Sequence, residues 1–186
     1  IISDKIKDDA YKAVKEFRRN NVKKIVMLTG DREEISKKVS KELKLDNYYA
    51  ELLPQDKVKK VESLMQEKDE DGKLVFIGDG INDAPVLALS DIGVAMGGLG
   101  SDAAIEAADI VIMTDEPSKL ANAIKISKKT MQIVKENIVF AITVKILVLI
   151  LSTIGIATMW AAVFADVGVS VIAIINALRI LRVKED

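Results

Sequence analysis

Apolar and polar residues follow two different spacings along the first 116 residues of the chain. Apolar residues three or four positions apart, with charges between them, predict amphipathic helices over residues 6–20, 33–43 and 54–68. Short apolar runs predict strands at 25–28, 48–50, 73–77, 92–96 and 109–113. Two shorter helices are expected, one ending at Leu89 and one capped by Ser101. Alternating strands and helices are typical of an α/β fold with a doubly wound, mainly parallel sheet.

The rest of the chain is far more apolar. Residues 117–137 predict a Lys-rich amphipathic helix, which we interpret as a stalk. Residues 138–158 and 160–178 each carry one charge, and each run is long enough to cross the hydrocarbon core of a bilayer. We therefore predict a transmembrane hairpin in contact with membrane lipid. A buried hairpin in a soluble core is the alternative, but two adjacent apolar runs of this length are unusual in so small a domain.

Basic residues flank the predicted hairpin on both sides. They are Lys125, Lys128, Lys129 and Lys135 before it, and Arg179, Arg182 and Lys184 after it. The positive-inside rule then places both ends of the hairpin in the cytoplasm, in a multi-pass protein of the plasma or inner membrane. The predicted organisation is a soluble domain over residues 1–116, the stalk, a hairpin over 138–179 and a tail over 180–186.

The composition excludes several kinds of chemistry. The 186 residues have a formal net charge of −1, so no overall field favours nucleic acid as a partner. The sequence contains no cysteine and no histidine, which excludes disulfides, thiolate metal sites and histidine-based catalysis within this chain. Its first residues show neither an initiator methionine nor a signal-peptide pattern. We therefore expect the chain to be part of a longer protein.

The most informative candidate for chemistry is the loop that follows the predicted strand at 73–77. It reads Gly-Asp-Gly-Ile-Asn-Asp-Ala-Pro and places the carboxylates of Asp79 and Asp83 and the amide of Asn82 within five positions. Gly78 and Gly80 flank the first aspartate, so the backbone can approach a ligand closely. Oxygen ligands clustered at the carboxyl end of a strand suit Mg²⁺ and phosphate. The alternative is an Asp-Gly turn followed by a helix cap.

Two charged residues, Lys145 and Asp166, lie inside the predicted spans. Counted at helical rise from the turn near Thr158, Lys145 is expected ~20 Å and Asp166 ~12 Å into the apolar layer. Charges at that depth are costly and commonly mark a functional site. One interpretation is a salt bridge that holds the hairpin together. The other is a carboxylate ligand for a transported cation, with the ammonium as its counter-charge.

Three motifs occur in a fixed order: Thr29-Gly30-Asp31, Pro54-Gln55-Asp56-Lys57 and the acidic loop at 78–85. In this order they make residues 1–116 resemble the C-terminal part of the phosphorylation domain of P-type ATPases. That domain has the haloacid dehalogenase-like, Rossmann-like fold, so the resemblance implies that only part of its parallel sheet lies in this chain. The segment 96–113 and the single C-terminal hairpin resemble the heavy-metal subclass. Lys145 and the Asp166-Val-Gly context are similar to the zinc, cadmium and lead pumps, whereas copper pumps would be expected to show Tyr-Asn and Met-Ser patterns. The resemblance covers essentially the whole chain.

The resemblance implies a role for each matching residue of the soluble part. Asp79 would ligate Mg²⁺ beside an aspartyl-phosphate, and Asp83 and Asn82 would orient the metal shell and the phosphate. Thr29 would hydrogen-bond the phosphoryl oxygens, and Lys57 would neutralise phosphate charge. Phosphoryl transfer needs positioning and electrostatic stabilisation above all, and these residue types supply both.

The resemblance also implies roles at two further places. Gly30 and Asp31 would shape the loop that faces the nucleotide and actuator domains of the pump. Asp166 would ligate the transported Zn²⁺, Cd²⁺ or Pb²⁺, and Lys145 would tune that site. Carboxylate here and thiolates upstream would suit divalent metals of this kind.

The sequence departs from the family pattern at the phosphorylated residue. The family's nucleophile lies in Asp-Lys-Thr-Gly-Thr, whereas residues 4–7 read Asp-Lys-Ile-Lys and no such motif occurs elsewhere. The nucleotide domain, which would bind most of the ATP, the actuator domain, six earlier spans and the Cys-Pro-Cys ligands are also outside this sequence. We therefore expect the C-terminal quarter of a pump, inactive by itself. Two alternatives stay open: a non-catalytic partner or regulatory half-pump, and a membrane-anchored phosphatase, which would need an Asp-x-Asp nucleophile before Thr29.

Overall fold

The computed structural model describes residues 6–78, 81–97 and 102–182. The chain divides into two compact units, one ending at Ala121 and the other beginning at Asn122. The strands described all belong to the first unit, and the second unit is helical.

The first unit alternates helices with strands, as the sequence predicts. The helices are α1 (Asp8–Arg19), α2 (Glu33–Leu43), α3 (Pro54–Glu67), α4 (Ala84–Leu89) and α5 (Asp102–Ala107). The strands are β1 (Val26–Leu28), β2 (Asn47–Tyr49), β3 (Val75–Gly78), β4 (Ile92–Met96) and β5 (Ile110–Ile112). Each predicted element is present with its ends close to those expected. The predicted cap Ser101 lies outside the described residues.

Local sequence explains where several of these helices begin and end. Acidic side chains occupy the first turns of α1 and α2, where they complement the positive end of the helix dipole. Pro54 and Pro85 lie in the first turns of α3 and α4, where a missing N–H leaves no helical hydrogen bond unmade. Lys44 ends α2 in the left-handed conformation, with a φ of 56°.

The strands pair in parallel and form two separate pieces. β1 pairs with β2, and β4 lies between β3 and β5. The α/β class and the parallel pairing are confirmed, whereas the expected single sheet is described as a two-stranded and a three-stranded piece. Within the described residues, β1 and β3 each keep one edge unpaired. An unpaired edge has backbone donors and acceptors that a further strand can satisfy.

The core of the first unit lies where α4 and α5 cover the three-stranded piece. Leu87, Ala95 and Ala104 are buried together there. The close packing of α4 on β4 depends on Gly93, because a Cβ at this position would lie 2.5 Å from the carbonyl oxygen of Leu87. The short helix is thereby fixed against the sheet. Asp83, directly before it, is held at the carboxyl end of β3.

A single helix, α6 (Ser118–Thr153), covers the predicted stalk and most of the predicted first span. Its first residue is firmly held, since the N–H and Oγ of Ser118 both donate to the carboxylate of Asp9 at 2.9 and 2.6 Å. The helix ends five residues before the predicted limit of the span. The chain turns at Gly155, whose φ of 77° is a left-handed conformation that glycine adopts without strain.

The second long helix is α7 (Met159–Ala177), followed by a 3₁₀ turn at Leu178–Arg182. Thr158 caps α7 by accepting a hydrogen bond from the N–H of Ala161 at 3.3 Å. By length and composition, the apolar segment Met159–Leu181 is the one helix among the described residues that meets the criteria for crossing a membrane, with a mean hydropathy of 2.1. An apolar helix is therefore present at the predicted second span, and the two-span hairpin stays a prediction.

Candidate functional site

The loop after β1 is organised by the side chain of Thr29. Its Oγ1 donates to Oδ2 of Asp31 at 2.8 Å and accepts from the N–H of Asp31 at 3.1 Å. Backbone bonds from Glu51 to the carbonyl of Asp31 and from Leu52 to that of Thr29 fix the loop from the other side. Gly30 lies between the two side chains, and a Cβ there would make only an ordinary 3.5 Å contact. The loop thus presents a fixed hydroxyl and a carboxylate to its surroundings.

Lys57 and Asp83 meet at the carboxyl end of β3. The Nζ of Lys57, in the first turn of α3, lies 2.8 Å from Oδ1 of Asp83. Their side chains are 19% and 11% exposed, respectively. Limited contact with water lowers the local dielectric, so the attraction between the two charges is stronger than in an exposed pair. A mostly buried carboxylate needs such a partner, or a metal ion, to offset its lost hydration.

Gly78 leaves the space that Asp83 occupies. A Cβ at position 78 would lie 2.9 Å from Cβ and 3.1 Å from Oδ2 of Asp83, and 3.0 Å from Cε1 of Phe76. These distances are too short for a side chain larger than hydrogen. The glycine predicted to allow close approach to a ligand therefore also allows close approach of the second aspartate of the loop.

The remaining residues of the acidic loop are placed only in part. Asp79 and Gly80 lie outside the described residues, and Asn82 is exposed. Within the described part of the chain, no three acidic side chains gather into a group that could hold a metal ion. Of the two carboxylates predicted to bind Mg²⁺, only Asp83 is described, so the predicted magnesium site stays a prediction.

Lys145 on α6 and Asp166 on α7 form an ion pair with Nζ 3.2 Å from Oδ1. The expected difference in depth between the two residues was wrong because both were counted from Thr158. Measured from the ends of the helices, Thr153 and Met159, the two residues lie eight and seven positions in, at nearly equal distances from the turn. Both side chains border a cavity of about 540 Å³ between the helices. This ion pair is consistent with both interpretations, a salt bridge that holds the two helices together and a cation site with a lysine counter-charge.

One polar cluster in the second unit was not predicted from the sequence. Glu136, Asn137, Asn176 and Arg179 form hydrogen bonds with one another across α6 and the end of α7. The sequence feature that indicates this cluster is a pair of asparagines, Asn137 and Asn176, near the ends of the apolar runs. Attention to charged residues alone misses them.

Comparison with known proteins gives a consistent result along the chain. A family model for haloacid dehalogenase-like hydrolases matches residues 1–91. The chain is 58% identical over 184 residues to the cadmium, zinc and cobalt-transporting ATPase of Bacillus subtilis (strain 168), covering 99% of this chain and 26% of that protein. It is 55% identical over 182 residues to the zinc-transporting ATPase of Synechocystis sp., covering 98% of this chain and 25% of that protein.

A solved structure also matches nearly the whole chain. The crystal structure of a zinc-transporting PIB-type ATPase in the E2.Pi state superimposes with a TM-score of 0.87 at 38% identity, covering 97% of this chain and 29% of that one. Nearly the whole chain is thus similar to one part of the transporting P-type ATPases. It spans about a quarter of the length of the curated relatives that it matches.

This similarity confirms the resemblance to P-type ATPases inferred from the three motifs, together with the haloacid dehalogenase-like fold of the first unit. It also favours a pump over the phosphatase and the non-catalytic partner, because the relatives that match nearly the whole chain are transporting ATPases. The roles of individual residues stay predictions.

Proposed function

We propose that this segment belongs to a primary active transporter that couples ATP hydrolysis to export of Zn²⁺, Cd²⁺ or Pb²⁺. The observation that carries the proposal is the alignment of nearly the whole chain with metal-transporting ATPases at 55–58% identity. The acceptor aspartate, the nucleotide and actuator domains and the earlier spans would come from the rest of the pump. Without them, the segment would form no aspartyl-phosphate and hydrolyse no ATP.

The first unit would stabilise the phosphoryl group. Asp79 and Asp83 would hold Mg²⁺, for which their carboxylate oxygens are suitable ligands. The bound ion would supply positive charge beside the phosphate. Lys57, whose ammonium lies 2.8 Å from Asp83, would provide a second positive charge at the same place. The exposed amide of Asn82 would orient the phosphate, and Gly78 and Gly80 would let backbone approach it.

The Thr29 loop would complete the phosphate site from β1. The hydroxyl of Thr29 already donates to Asp31, and it can donate to a phosphoryl oxygen instead by rotating its O–H about the Cβ–Oγ1 bond. Gly30 and Asp31 would shape the surface that meets the neighbouring domains.

We further propose that the strand bearing the acceptor aspartate pairs between β1 and β3. Both strands keep an unpaired edge among the described residues, and each leads at its carboxyl end into a motif loop. A parallel strand in that position would end between Thr29 and Asp83, where ligands of open α/β sheets bind. It would join the two pieces into the single sheet expected from the sequence.

The second unit would cross the membrane as a hairpin, with spans at about 138–158 and 160–178. The apolar segment Met159–Leu181 and the apolar C-terminal half of α6 support this proposal. The basic residues on both sides of the hairpin favour a cytoplasmic location for both ends. Residues 117–137, nearly all of them in α6, would then be the stalk that follows the soluble domain at residue 116, and 180–186 a cytoplasmic tail.

Within the hairpin, Asp166 would ligate the transported ion and Lys145 would be its counter-charge. A cation that binds Asp166 would displace the lysine ammonium, which is 3.2 Å away and long enough to move aside. When the ion leaves, the ammonium would return and keep the carboxylate from remaining unpaired in an apolar layer.

The test is metal-stimulated ATP hydrolysis by the full-length pump in lipid vesicles, wild type against Asp166→Ala, over Zn²⁺, Cd²⁺, Pb²⁺ and Cu⁺. We expect stimulation by the divalent ions in the wild type and its loss in the variant. Phosphorylation of the variant by inorganic phosphate should persist, because that reaction does not require the transported ion. Stimulation by Cu⁺ alone, or activity indifferent to Asp166, would overturn the ion assignment.

A further inference from the structure

Four polar side chains connect α6 to the end of α7. The Nδ2 of Asn176 donates to Oδ1 of Asn137 at 2.8 Å, and the Nδ2 of Asn137 donates to the carbonyl oxygen of Ala173 at 3.1 Å. Arg179 donates through Nη1 to Oε2 of Glu136 at 3.1 Å and to Oδ1 of Asn176 at 2.7 Å. We call Glu136, Asn137, Asn176 and Arg179 the polar clasp.

The clasp lies in otherwise apolar surroundings. Its members border a space of about 550 Å³ that is also lined by Phe140, Ile172, Ile175 and Leu178. Apolar side chains of two helices can pack in more than one register, since their contacts have little direction. Hydrogen bonds between specific atoms have one register that satisfies them, and a polar residue at an apolar interface is a known means of fixing helix alignment.

The polar clasp and the Lys145–Asp166 pair both join α6 to α7, so both depend on the same alignment of the two helices. Lys145 lies eight residues after Asn137 on α6, and Asp166 lies ten residues before Asn176 on α7. At helical rise these separations are about 12 and 15 Å. When two antiparallel helices are joined at the clasp, Lys145 and Asp166 therefore lie at similar distances from it. The long lysine side chain can span the small difference between these distances. A slip by one helical turn, about 5.4 Å, would separate the two charges.

We infer that the polar clasp is a positioning element that sets the register of α6 against α7 and thereby brings Lys145 opposite Asp166. The consequence for ion binding rests on the proposed function, whereas the consequence for helix register does not. Because Asn137 and Asn176 lie about 12 and 15 Å along their helices from the pair, the clasp would act on the ion site only through the helices.

Cysteine cross-linking in the full-length pump tests this inference. These 186 residues contain no cysteine, so an introduced pair is the only one within them, and mass spectrometry of the linked peptides separates it from cysteines elsewhere. Val148 and Val163 are each three residues from the charged pair on the turn side and border the same cavity. Cysteines at these two positions report the observed register. Cysteines at Val144 and Val163 report a slip of about one turn.

Both cysteine pairs are placed in the wild-type clasp and in the variant Asn137→Leu with Asn176→Leu, which keeps side-chain size but removes the hydrogen bonds. With the clasp intact, a short bis-maleimide should link 148 to 163 in clear preference to 144 to 163. In the leucine variant we expect this preference to fall several-fold. The Zn²⁺ concentration for half-maximal ATPase stimulation should rise about tenfold, with a smaller effect on maximal rate.

Three further variants keep the test decisive. Glu136→Arg with Arg179→Glu exchanges the charges of the clasp, and it should restore most of the preference lost in Arg179→Glu alone. Asn137→Gln is a milder substitute if the leucine variant does not reach the membrane, and it should show a smaller shift in the same direction.

An unchanged linking preference in the leucine variant would overturn the inference, even if ATPase activity fell. A shifted preference in a pump that no divalent metal stimulates would support the clasp and reject the proposed function. The two proposals can therefore fail separately.

Discussion

Lys57 and Asp83 are 26 positions apart in the sequence, and their Nζ and Oδ1 atoms lie 2.8 Å apart at the end of β3. The contact joins the motif that opens α3 to the acidic loop that precedes α4. Because both side chains are mostly buried, removal of either one leaves the other charge without this partner in a poorly hydrated place.

Replacement of Lys57 by methionine tests the role of the ammonium. The variant keeps the length of the side chain but removes the charge next to Asp83 and the proposed phosphate site. We expect phosphoenzyme formation from ATP in the full-length pump to fall by roughly 100-fold or more, as when other electrostatic stabilisers are removed. The matched control is Lys59→Met on the same helix, whose side chain is 75% exposed and which should remain near wild type. Equal phosphoenzyme levels in both variants would reject the proposed role.

Gly78→Ala tests the close approach of β3 to Asp83. The added methyl group would lie 2.9 Å from Cβ of Asp83, so either the strand end or the aspartate must move. Overpacking of this kind costs about 1–3 kcal/mol. We expect a lower thermal midpoint and a large loss of phosphoenzyme. Gly30→Ala adds the same methyl group where the nearest contact is 3.5 Å, so its thermal midpoint should stay close to wild type. A normal midpoint for Gly78→Ala would show that the loop tolerates the methyl group.

Exchange of Lys145 and Asp166 separates the two interpretations of the membrane pair. Lys145→Asp with Asp166→Lys keeps an ion pair across the helices but moves the carboxylate from α7 to α6. If the pair only holds the hairpin together, the double variant should recover the activity lost in either single variant. Because we propose Asp166 as an ion ligand, we expect metal-stimulated ATPase activity to stay absent in the double variant. Recovery to near the wild-type level would return both residues to a structural role.

Asp91 should make the stability of the folded protein depend on pH, and the direction of this dependence can be stated. Its Oδ2 accepts a hydrogen bond from the N–H of Leu74 at 2.7 Å and another from the ammonium of Lys68. The backbone bond from Leu74 and then the bond from Lys68 hold the pKa of this carboxyl below its ordinary value of 3.8. Because folding lowers the pKa of Asp91, its ionised carboxylate stabilises the folded protein. This stabilisation is fully present at pH values above the pKa that the carboxyl has in the unfolded chain. This stabilisation is lost as the pH falls through the folded value.

Asp91→Asn should therefore destabilise the full-length pump at pH 7 by about 1 kcal/mol, through loss of charge-assisted hydrogen bonds. The difference in thermal midpoint from wild type should shrink as the pH is lowered below about 4. Asp69→Asn is the control, since Asp69 pairs with Lys23 in an exposed position where ion pairs contribute little. A gap between Asp91→Asn and wild type that is constant from pH 7 to pH 3 would contradict the linkage.

Local sequence predicted the elements of the first unit well because its signals are local. Pro54 at the start of α3 and the apolar runs of the strands act within a few residues of where they occur. The division of the sheet into two pieces could not be predicted in this way. The division depends on which strand lies beside β1 and β3, and strand pairing is decided by residues far apart in the sequence.

The site shows the same contrast. The family resemblance predicted that Lys57 and Asp83 act in one chemistry, but their direct contact depends on how α3 and α4 pack, which spacing does not encode. The offset between Lys145 and Asp166 was misjudged because both were counted from Thr158, whereas α6 ends at Thr153 and α7 begins at Met159. The polar clasp was missed because Asn137 and Asn176 gain meaning only when α6 and α7 are placed side by side.

The open edges of β1 and β3 have a practical consequence for anyone producing this segment. If the acceptor strand fits between them, the domain is assembled from two portions of the pump that are distant in the sequence. Strand pairing and packing, rather than a peptide bond, would then hold the two portions together. The two portions should then behave as a split enzyme, whose reconstitution depends on the concentration of the complementary fragment. Expressed without that fragment, the segment would offer the same edges to other copies of itself and tend to aggregate, and co-expression should rescue its yield.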